Sequence, residues 1–405
     1  MPLRIAIIGA GAAGLMAAIE AGKKGHAVHV FDHAKKVGEK IRISGGGRCN
    51  FTNKYCTHEN FISNNPHFCK SPLARYPASQ FISMVEGHQI PFHEKHPEKE
   101  TGQLFCDGKS QEIIDMLLTE CGDVQAKIFT ETAIDTITKN DEDFTLHYNG
   151  KNRTYDRVII ATGGPSIPKM GASDFGYRIA RQFGHEIIPT TPALVPLTFT
   201  DEVLNFTKSL SGVSIDSVLI RNDSGGKTTQ FRDDLLFTHR GLSGPVILQI
   251  SSYWNAGEEL TINLLPDLDI KNKFIQAKAS SPKIKIHTFL GHYLPTRFVD
   301  ELLNQIFDED DRKKNIADIS DKKFQMIIYR SQNWIIKPNG SEGYRTAEVT
   351  RGGVDTNEIN NKTFESKKCD GLYFIGEVVD VTGHLGGHNF QWAWASGYCC
   401  GIELS

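Results

Sequence analysis

Residues 5–32 read IAIIGAGAAGLMAAIEAGKKGHAVHVFD, and this stretch constrains the fold more tightly than any other. Ile5 to Ile8 form a continuous apolar run, as expected of a parallel strand buried on both faces. Gly9, Gly11 and Gly14 then supply GxGxxG as the chain enters an alanine-rich segment that reads as a helix. In such a unit the first glycine makes the turn and the second admits a pyrophosphate to the backbone. The third lets helix and strand pack closely. Gly9, Gly11, Ala12, Ala13 and Gly14 are therefore the expected phosphate-binding turn, with the helix N-terminus supplying unpaired N–H groups. A second strand, AVHVF, leads to Asp32, where a carboxylate suits ribose hydroxyls. Together these features specify a dinucleotide site, but they do not choose between NAD and FAD.

Two later segments decide that choice. YDRVIIATGG (155–164) is a second apolar strand, ending in Ala161, Thr162 and Gly163. LYFIGEVVDVTGHLGGHNFQWAWASG (372–397) is a third, ending at Gly376 and Glu377 and followed by a glycine-rich turn and an aromatic helix. An FAD of the glutathione-reductase kind runs away from the first turn and needs contacts from far along the chain. Glu377, at a strand end, suits the ribityl hydroxyls. A helix starting around Gly387, His388 and Asn389 suits the flavin N1–C2=O edge, which becomes negative on reduction. A helix N-terminus favours such charge by roughly 0.3–2 kcal/mol. NAD needs none of this C-terminal apparatus, so FAD is the expected cofactor.

Residues 43–53 read ISGGGRCNFTN. A glycine costs about 0.5–1 kcal/mol relative to alanine inside a regular element, so three in a row call for a reason. They make either a flexible surface loop or a tight anion-binding turn. SGGGRCNFTN, ATGGPSIPKMGASDFG, LLFTHRGLSGPVILQIS, RGGVDTNEI and the 371–397 segment together resemble one family, the BaiN-like or aminoacetone-oxidase-like FAD-binding flavoproteins. The resemblance spans nearly the whole chain, with GGGRCN and the C-terminal segment as its most specific parts. His388 departs from it, standing where such proteins often carry tyrosine in a GGYN turn.

The resemblance implies an α/β fold: a discontinuous, glutathione-reductase-type Rossmann-like FAD domain with an inserted antiparallel β domain and a small helical domain. It implies that Ser44, Gly45, Gly46 and Gly47 lie against the FAD diphosphate and ribityl chain, with Arg48 adding positive charge. Cys49 and Asn50 would lie toward the isoalloxazine, and backbone groups near Ala133 would meet adenine. For Arg48 the alternative is a surface salt bridge. For Cys49 it is service as a small buried hydrophobe. Proteins of this kind are linked to reduction of conjugated double bonds in steroid-like substrates, to amine oxidation, and to dihydrouridine formation in ribosomal RNA.

The expected division is an FAD-binding domain at 1–190 and 345–405, a β-rich domain at 191–268 plus 331–344, and a helical domain at 269–330. A 405-residue chain exceeds the length at which one core stops growing. Residues 54–110 show little periodicity and five prolines. Residues 128–164 alternate as in a small β-meander around Asn149-Gly150, and 212–231 read as a hairpin around DSGG. In PTRFVDELLNQIF, Phe298, Leu302, Leu303 and Ile306 share a helical face, and Ser320 is a candidate N-cap. Lys271, Lys273, Lys278, Lys283, Lys285 and Arg297 precede any acid. They form either a nucleic-acid footprint or a solvated face without interleaved aromatics. His239 and Arg240 face the active site or serve only a turn.

Net charge is −3, so no global electrostatic case for nucleic acid or membrane arises. Eight cysteines without a CxxC pair read as reduced thiols. LRIAIIGAG lacks a basic leader, and no apolar run reaches eighteen residues. The expectation is a cytoplasmic protein with no membrane segment. No His/Cys/acid cluster has metal-ligand spacing, and nothing fixes an oligomeric state.

The expected activity is an FAD-dependent oxidoreductase that reduces an activated C=C bond of a small molecule with NAD(P)H-derived electrons. Ribosomal RNA as a dihydrouridine-synthase substrate is the alternative. Amine oxidation and a non-catalytic flavin sensor stand behind it. No second GxGxxG occurs, so NAD(P)H would bind transiently over the flavin, or the flavin is reduced some other way. The residues expected to give a proton are Cys49, His384 and His388, with Arg351 polarising a substrate carbonyl.

Overall fold

In a computed structural model, which describes residues 2–404, the chain divides into two compact units. One is built from the chain up to Thr191 and from Glu348 onward, the other from Pro192–Ala347.

The first unit is centred on a parallel sheet in the order Leu372–Phe374, Arg157–Ile160, Arg4–Ile8, Ala27–Phe31, Lys127–Phe129. Ile8 lies beside both Ile160 and Phe31, so the three strands end together. Strand Arg4–Ile8 sits in the middle and is buried from Ile5 onward, which is why it reads as unbroken apolar sequence. Helix Ala12–Lys23 follows the glycine turn and packs along the closing helix His388–Glu403. Small residues make that contact possible: a Cβ on Gly397 would overlap the Ala13 carbonyl oxygen. This is the expected α/β Rossmann-type architecture, with strand Leu372–Phe374 returning to the sheet after the insertion.

A meander of Thr136–Lys139, Phe144–Tyr148 and Lys151–Tyr155 turns at Asn149-Gly150, as the alternation indicated. Residues 54–110 hold more regular structure than their sequence suggests. Helix Ala78–Gly87 buries Ala78, Phe81 and Val85, and strands Phe92–Glu94 and Gln103–Cys106 join Asn50–Asn53 in a small antiparallel sheet. These elements are short and gain their order from tertiary partners, so periodicity alone is a weak guide to them.

The second unit is a seven-stranded antiparallel sheet in the order Trp334–Ile336, Leu260–Asn263, Ser214–Ser224, Lys227–Thr238, Gly241–Ser243, Leu197–Thr198, Gly340–Ser341. The hairpin turns at Gly225-Gly226, both at positive φ, as a two-residue loop favours. The outermost strands, ending at Ile336 and starting at Gly340, are consecutive in the chain. Four residue steps span at most about 14 Å, so the sheet curls until its two edges nearly meet. Helices Ile270–Ser280, Thr296–Ile306 and Asp321–Gln332 share its core: Phe298 packs on Phe206 and Phe237, each at 5.8 Å between ring centres. Ser320 caps the last of these helices, accepting from the Lys323 N–H. His239 and Arg240 are exposed in the turn between Thr238 and Gly241.

Among the described residues no helix is long and apolar enough to cross a membrane. Also among them, no three His, Cys, Asp or Glu side chains gather as a metal site would require.

Candidate flavin site

The parallel strands of the first unit end side by side, and the residues that follow them meet there. After Ile8 the chain turns through Gly9, whose N–H donates to the Phe31 carbonyl (2.8 Å), and enters the helix at Ala12. The first intrahelical bond runs from Leu15 N–H to Gly11 C=O (3.0 Å). Earlier N–H groups in the turn of Ala12, Ala13 and Gly14 have no partner inside the helix, and no acid occupies that turn. Asp32 closes the next strand, its two carboxylate oxygens accepting from Ala10 N–H (2.7 Å) and Ala34 N–H (2.8 Å). The Thr132 N–H donates to the Asp32 carbonyl (2.8 Å), which brings Ala133 to the same rim.

Glu377 joins the ends of three other segments. Its Oε2 takes the Lys40 ammonium at 2.7 Å, and its Oε1 accepts from Ser166 Oγ (3.1 Å) and Thr350 N–H (2.9 Å). Gly163 lies against the same carboxylate. Lys40 and Ser166 were not foreseen. No local pattern marks them, since each is defined by a partner more than a hundred residues away. Gly376 serves packing: its N–H donates to Ser396 Oγ (3.0 Å) and its carbonyl accepts from Trp392 Nε1 (3.0 Å).

The glycine triplet forms a tight turn rather than a loose loop. Gly45, Gly46 and Gly47 have φ of 57°, 67° and 89°, a region costly to side chains with a Cβ. Such turns make anion-binding concavities. Ser44 Oγ donates to Ile41 C=O, and Cys49 N–H to Ser44 C=O (3.0 Å). Arg48 is exposed and, among the described residues, has no ion-pair partner.

Cys49 requires a correction. It is fully buried and so out of a substrate's reach, and burial pushes its thiol up to about 12, which keeps it protonated but a very weak acid. It is the small hydrophobe of the alternative reading. All eight cysteines are free thiols.

The triplet and the C-terminal turn are docked together by strand Asn50–Asn53. The Asn50 amide fits with its Oδ1 accepting from Gly387 N–H (3.1 Å), and Asn53 Nδ2 donates to Gly386 C=O (2.9 Å). Thr52 Oγ1 donates to Gln391 Oε1 (2.7 Å), and Trp394 Nε1 to Phe51 C=O (2.8 Å). Asn389 closes its own loop, bonding both N–H and C=O of Gly383.

The two histidines expected as acids are neutral. Burial holds His384 at about 4, and burial together with neighbouring His384 holds His388 at about 3. His388 also opens the closing helix, where the macrodipole disfavours a cation. At neutral pH neither is an imidazolium, so each keeps a single ring N–H and is a hydrogen-bond donor rather than an acid of ordinary histidine strength. Arg351 lies on strand Val349–Val354, with its charge felt by buried Asp380, whose carboxyl burial raises.

This pair sets a pH dependence. Unfolded histidine takes up a proton near pH 6.5, whereas folded His388 stays neutral to about 3. The unfolded state therefore binds more protons in that window, and stability falls as pH drops from about 6.5 toward 4. Melting temperature measured across that range is expected to fall less steeply for His388→Gln than for the parent.

The chain's own residues fit an FAD. Gly11 has an ordinary φ of −86°, and a Cβ there would meet nothing within 4 Å, so no protein atom requires a glycine at this place and the open space beside the helix N-terminus has room for a pyrophosphate. The Nδ1 of His388 and Oγ1 of Thr350 are buried without hydrogen-bond partners.

The family profile described as HI0933-like protein Rossmann domain matches residues 3–403. The chain belongs to the HI0933-like family. This is a family of Rossmann FAD-binding oxidoreductases, as the BaiN-like resemblance indicated, and the chain is an enzyme of that class. Among HI0933-like relatives, the ribosomal RNA dihydrouridine synthase of Escherichia coli is 48% identical over 402 residues, covering 98% of this chain and 97% of that protein. Its namesake from Haemophilus influenzae is 47% identical over 403 residues, covering 98% of each. The 3-dehydro-bile acid delta(4,6)-reductase of Clostridium scindens is 27% identical over 410 residues, again covering 98% of each.

Proposed function

We propose that this HI0933-like enzyme reduces the C5=C6 bond of a uridine in ribosomal RNA to give dihydrouridine. The observation that carries the reading is identity of nearly half, end to end, with two proteins named for that reaction. From the sequence a small-molecule substrate stands first with ribosomal RNA close behind, and the identity to these two relatives favours the RNA reading. The chemistry itself is unchanged, because the uracil C5=C6 bond is conjugated to the C4 carbonyl and is an activated C=C bond. A small-molecule reductase remains the second reading, favoured by the relative named as a bile-acid reductase.

FAD, when bound, supplies the hydride chemistry. Gly11 and the N-terminus of helix Ala12–Lys23 would hold its pyrophosphate, with Asp32 at the adenosine ribose. The Lys40–Glu377–Ser166 cluster would hold the ribityl hydroxyls. The Gly45–Gly47 turn and the start of helix His388–Glu403 would enclose the remainder. Arg351 and Arg48 are the cations available to stabilise negative charge developing on a substrate carbonyl. NAD(P)H is the proposed electron donor.

The test is a nucleoside map of ribosomal RNA by mass spectrometry, with and without the gene. Loss of one dihydrouridine, restored by a plasmid copy, is expected. Purified enzyme should also form it in deproteinised ribosomal RNA when supplied with NADPH, NADH or dithionite. An identical map in the deletion strain would end this reading.

A further inference from the structure

We propose that helices Ile270–Ser280 and Asp321–Gln332, with the adjoining strand Trp334–Ile336, form an RNA-docking face on the second unit. The inference rests on the ribosomal RNA reading above and adds where the substrate is held.

The two helices touch through one aromatic pair and are tied together at their flanks. Phe274, midway along the first, stacks on Phe324 in the first turn of the second. At one end Lys278 Nζ donates to Ile319 C=O (2.9 Å), and at the other Gln332 Nε2 donates to Leu265 C=O (3.0 Å). That pairing brings together two segments of one sign. Residues 271–297 carry six cations and no acid, and 321–337 carry four cations and one acid, in a chain whose net charge is −3. Lys278, Lys285 and Arg297 are tied to backbone carbonyls, so they hold the fold. Lys271, Lys273, Lys283, Lys322 and Lys337 are exposed and, among the described residues, have no carboxylate partner.

Charge alone would fit a solvated surface. The second observation is apolar. Four of the six large hydrophobic side chains that remain exposed among the described residues lie here: Ile275, Met326, Tyr329 and Ile335. Isolated exposed apolar residues are ordinary, but four of six on two touching helices and the strand that follows them, among exposed lysines, are a concentration that marks an interaction surface. Asp269 and Asp321 start the two helices, and Lys323 is paired with Asp311. The cations outnumber these acids and, among the described residues, five lysines stay unpaired, an excess that selects a polyanion and repels a second copy of the same face. An exposed tyrosine beside them offers a base a ring to stack on, which is how proteins hold unpaired RNA. In the basic stretch Phe274 and Phe289 are buried and Tyr293 is half-buried, so the exposed ring, Tyr329, comes from the neighbouring helix.

The experiment measures binding of the FAD-loaded enzyme to fluorescently labelled oligouridine and to deproteinised ribosomal RNA across a salt series. It compares the parent with Lys271→Glu/Lys273→Glu/Lys322→Glu and with Tyr329→Ala. The triple variant is expected to bind at least tenfold more weakly and to flatten the log K against log salt slope by about 2, at about 0.7 per lost phosphate contact. Tyr329→Ala is expected to weaken binding about tenfold with the slope unchanged. Both should keep the parent's flavin spectrum and its rate of reduction by dithionite. Parental affinity and slope in both variants, from an enzyme that does form dihydrouridine, would overturn this face and leave the reaction standing. A parent that neither binds nor modifies ribosomal RNA would overturn both. Equal binding of polyglutamate, indifferent to Tyr329→Ala, would show a general polyanion surface and overturn the RNA assignment.

Discussion

A Gly11→Val variant is expected to fold as the parent does and to purify without its yellow colour. Two neighbouring glycines in one motif separate ligand space from protein space. At Gly14 a Cβ would overlap the Gly9 carbonyl oxygen, so Gly14→Val forces helix and strand apart and should fail to fold. At Gly11 the backbone is ordinary and the surroundings are open, so the protein has no objection to a side chain. Only a group lying across the helix N-terminus would collide with it. Forcing branched carbons into a filled contact costs about 1–3 kcal/mol or more, and each 1.4 kcal/mol is tenfold in affinity. FAD titration followed by visible absorbance should therefore show a dissociation constant raised about a hundredfold, with an unchanged melting curve for the apoprotein. Parental affinity in Gly11→Val would mean that the pyrophosphate lies elsewhere.

Trp394→Ala should have the largest effect on stability. The indole is fully buried, stacked on Phe81 at 4.2 Å and 6° between planes, and its N–H donates to the Phe51 carbonyl. Removing a buried aromatic costs about 3–5 kcal/mol. The orphaned Phe51 carbonyl adds to this. For a unit of this size that is a fall of roughly 10 °C in melting temperature. The same strand carries Asn50 and Asn53 to the Gly386-Gly387 turn, so FAD affinity should fall with it. Trp394→Phe, which keeps the stack and loses only the N–H, should recover most of the stability. Equal losses in the two variants would show that the hydrogen bond, not the ring, carries the site.

The readable parts of this chain are those whose meaning is local. Strand, glycine turn, helix and Asp32 all lie within about thirty residues, and each expects its neighbour. The hairpin at Gly225-Gly226 and the Ser320 cap are equally local. What could not be read depends on distant partners. Lys40 finds Glu377, Ser166 joins both, and neither pairing has a sequence signature. Cys49 stands in a motif that suggests chemistry, yet its buried position follows from the turn made by the three glycines before it. His384 and His388 resemble acid–base residues by type, and their burial is a property of the assembled helix and strand. Helix Ala78–Gly87 was missed because its apolar face is narrow and owes its order to Trp394.

The return of the chain to the parallel sheet at Leu372–Phe374, after the whole of Pro192–Ala347, dictates an order of assembly during synthesis. The curled sheet and its helices are continuous in the polypeptide and can condense while the ribosome is still translating. The half-built parallel sheet must wait, one strand and one covering helix short, until the last segment emerges. Slowing translation beyond Ala347 would thus prolong an open sheet edge that a chaperone must shield, while the inserted unit stays protected.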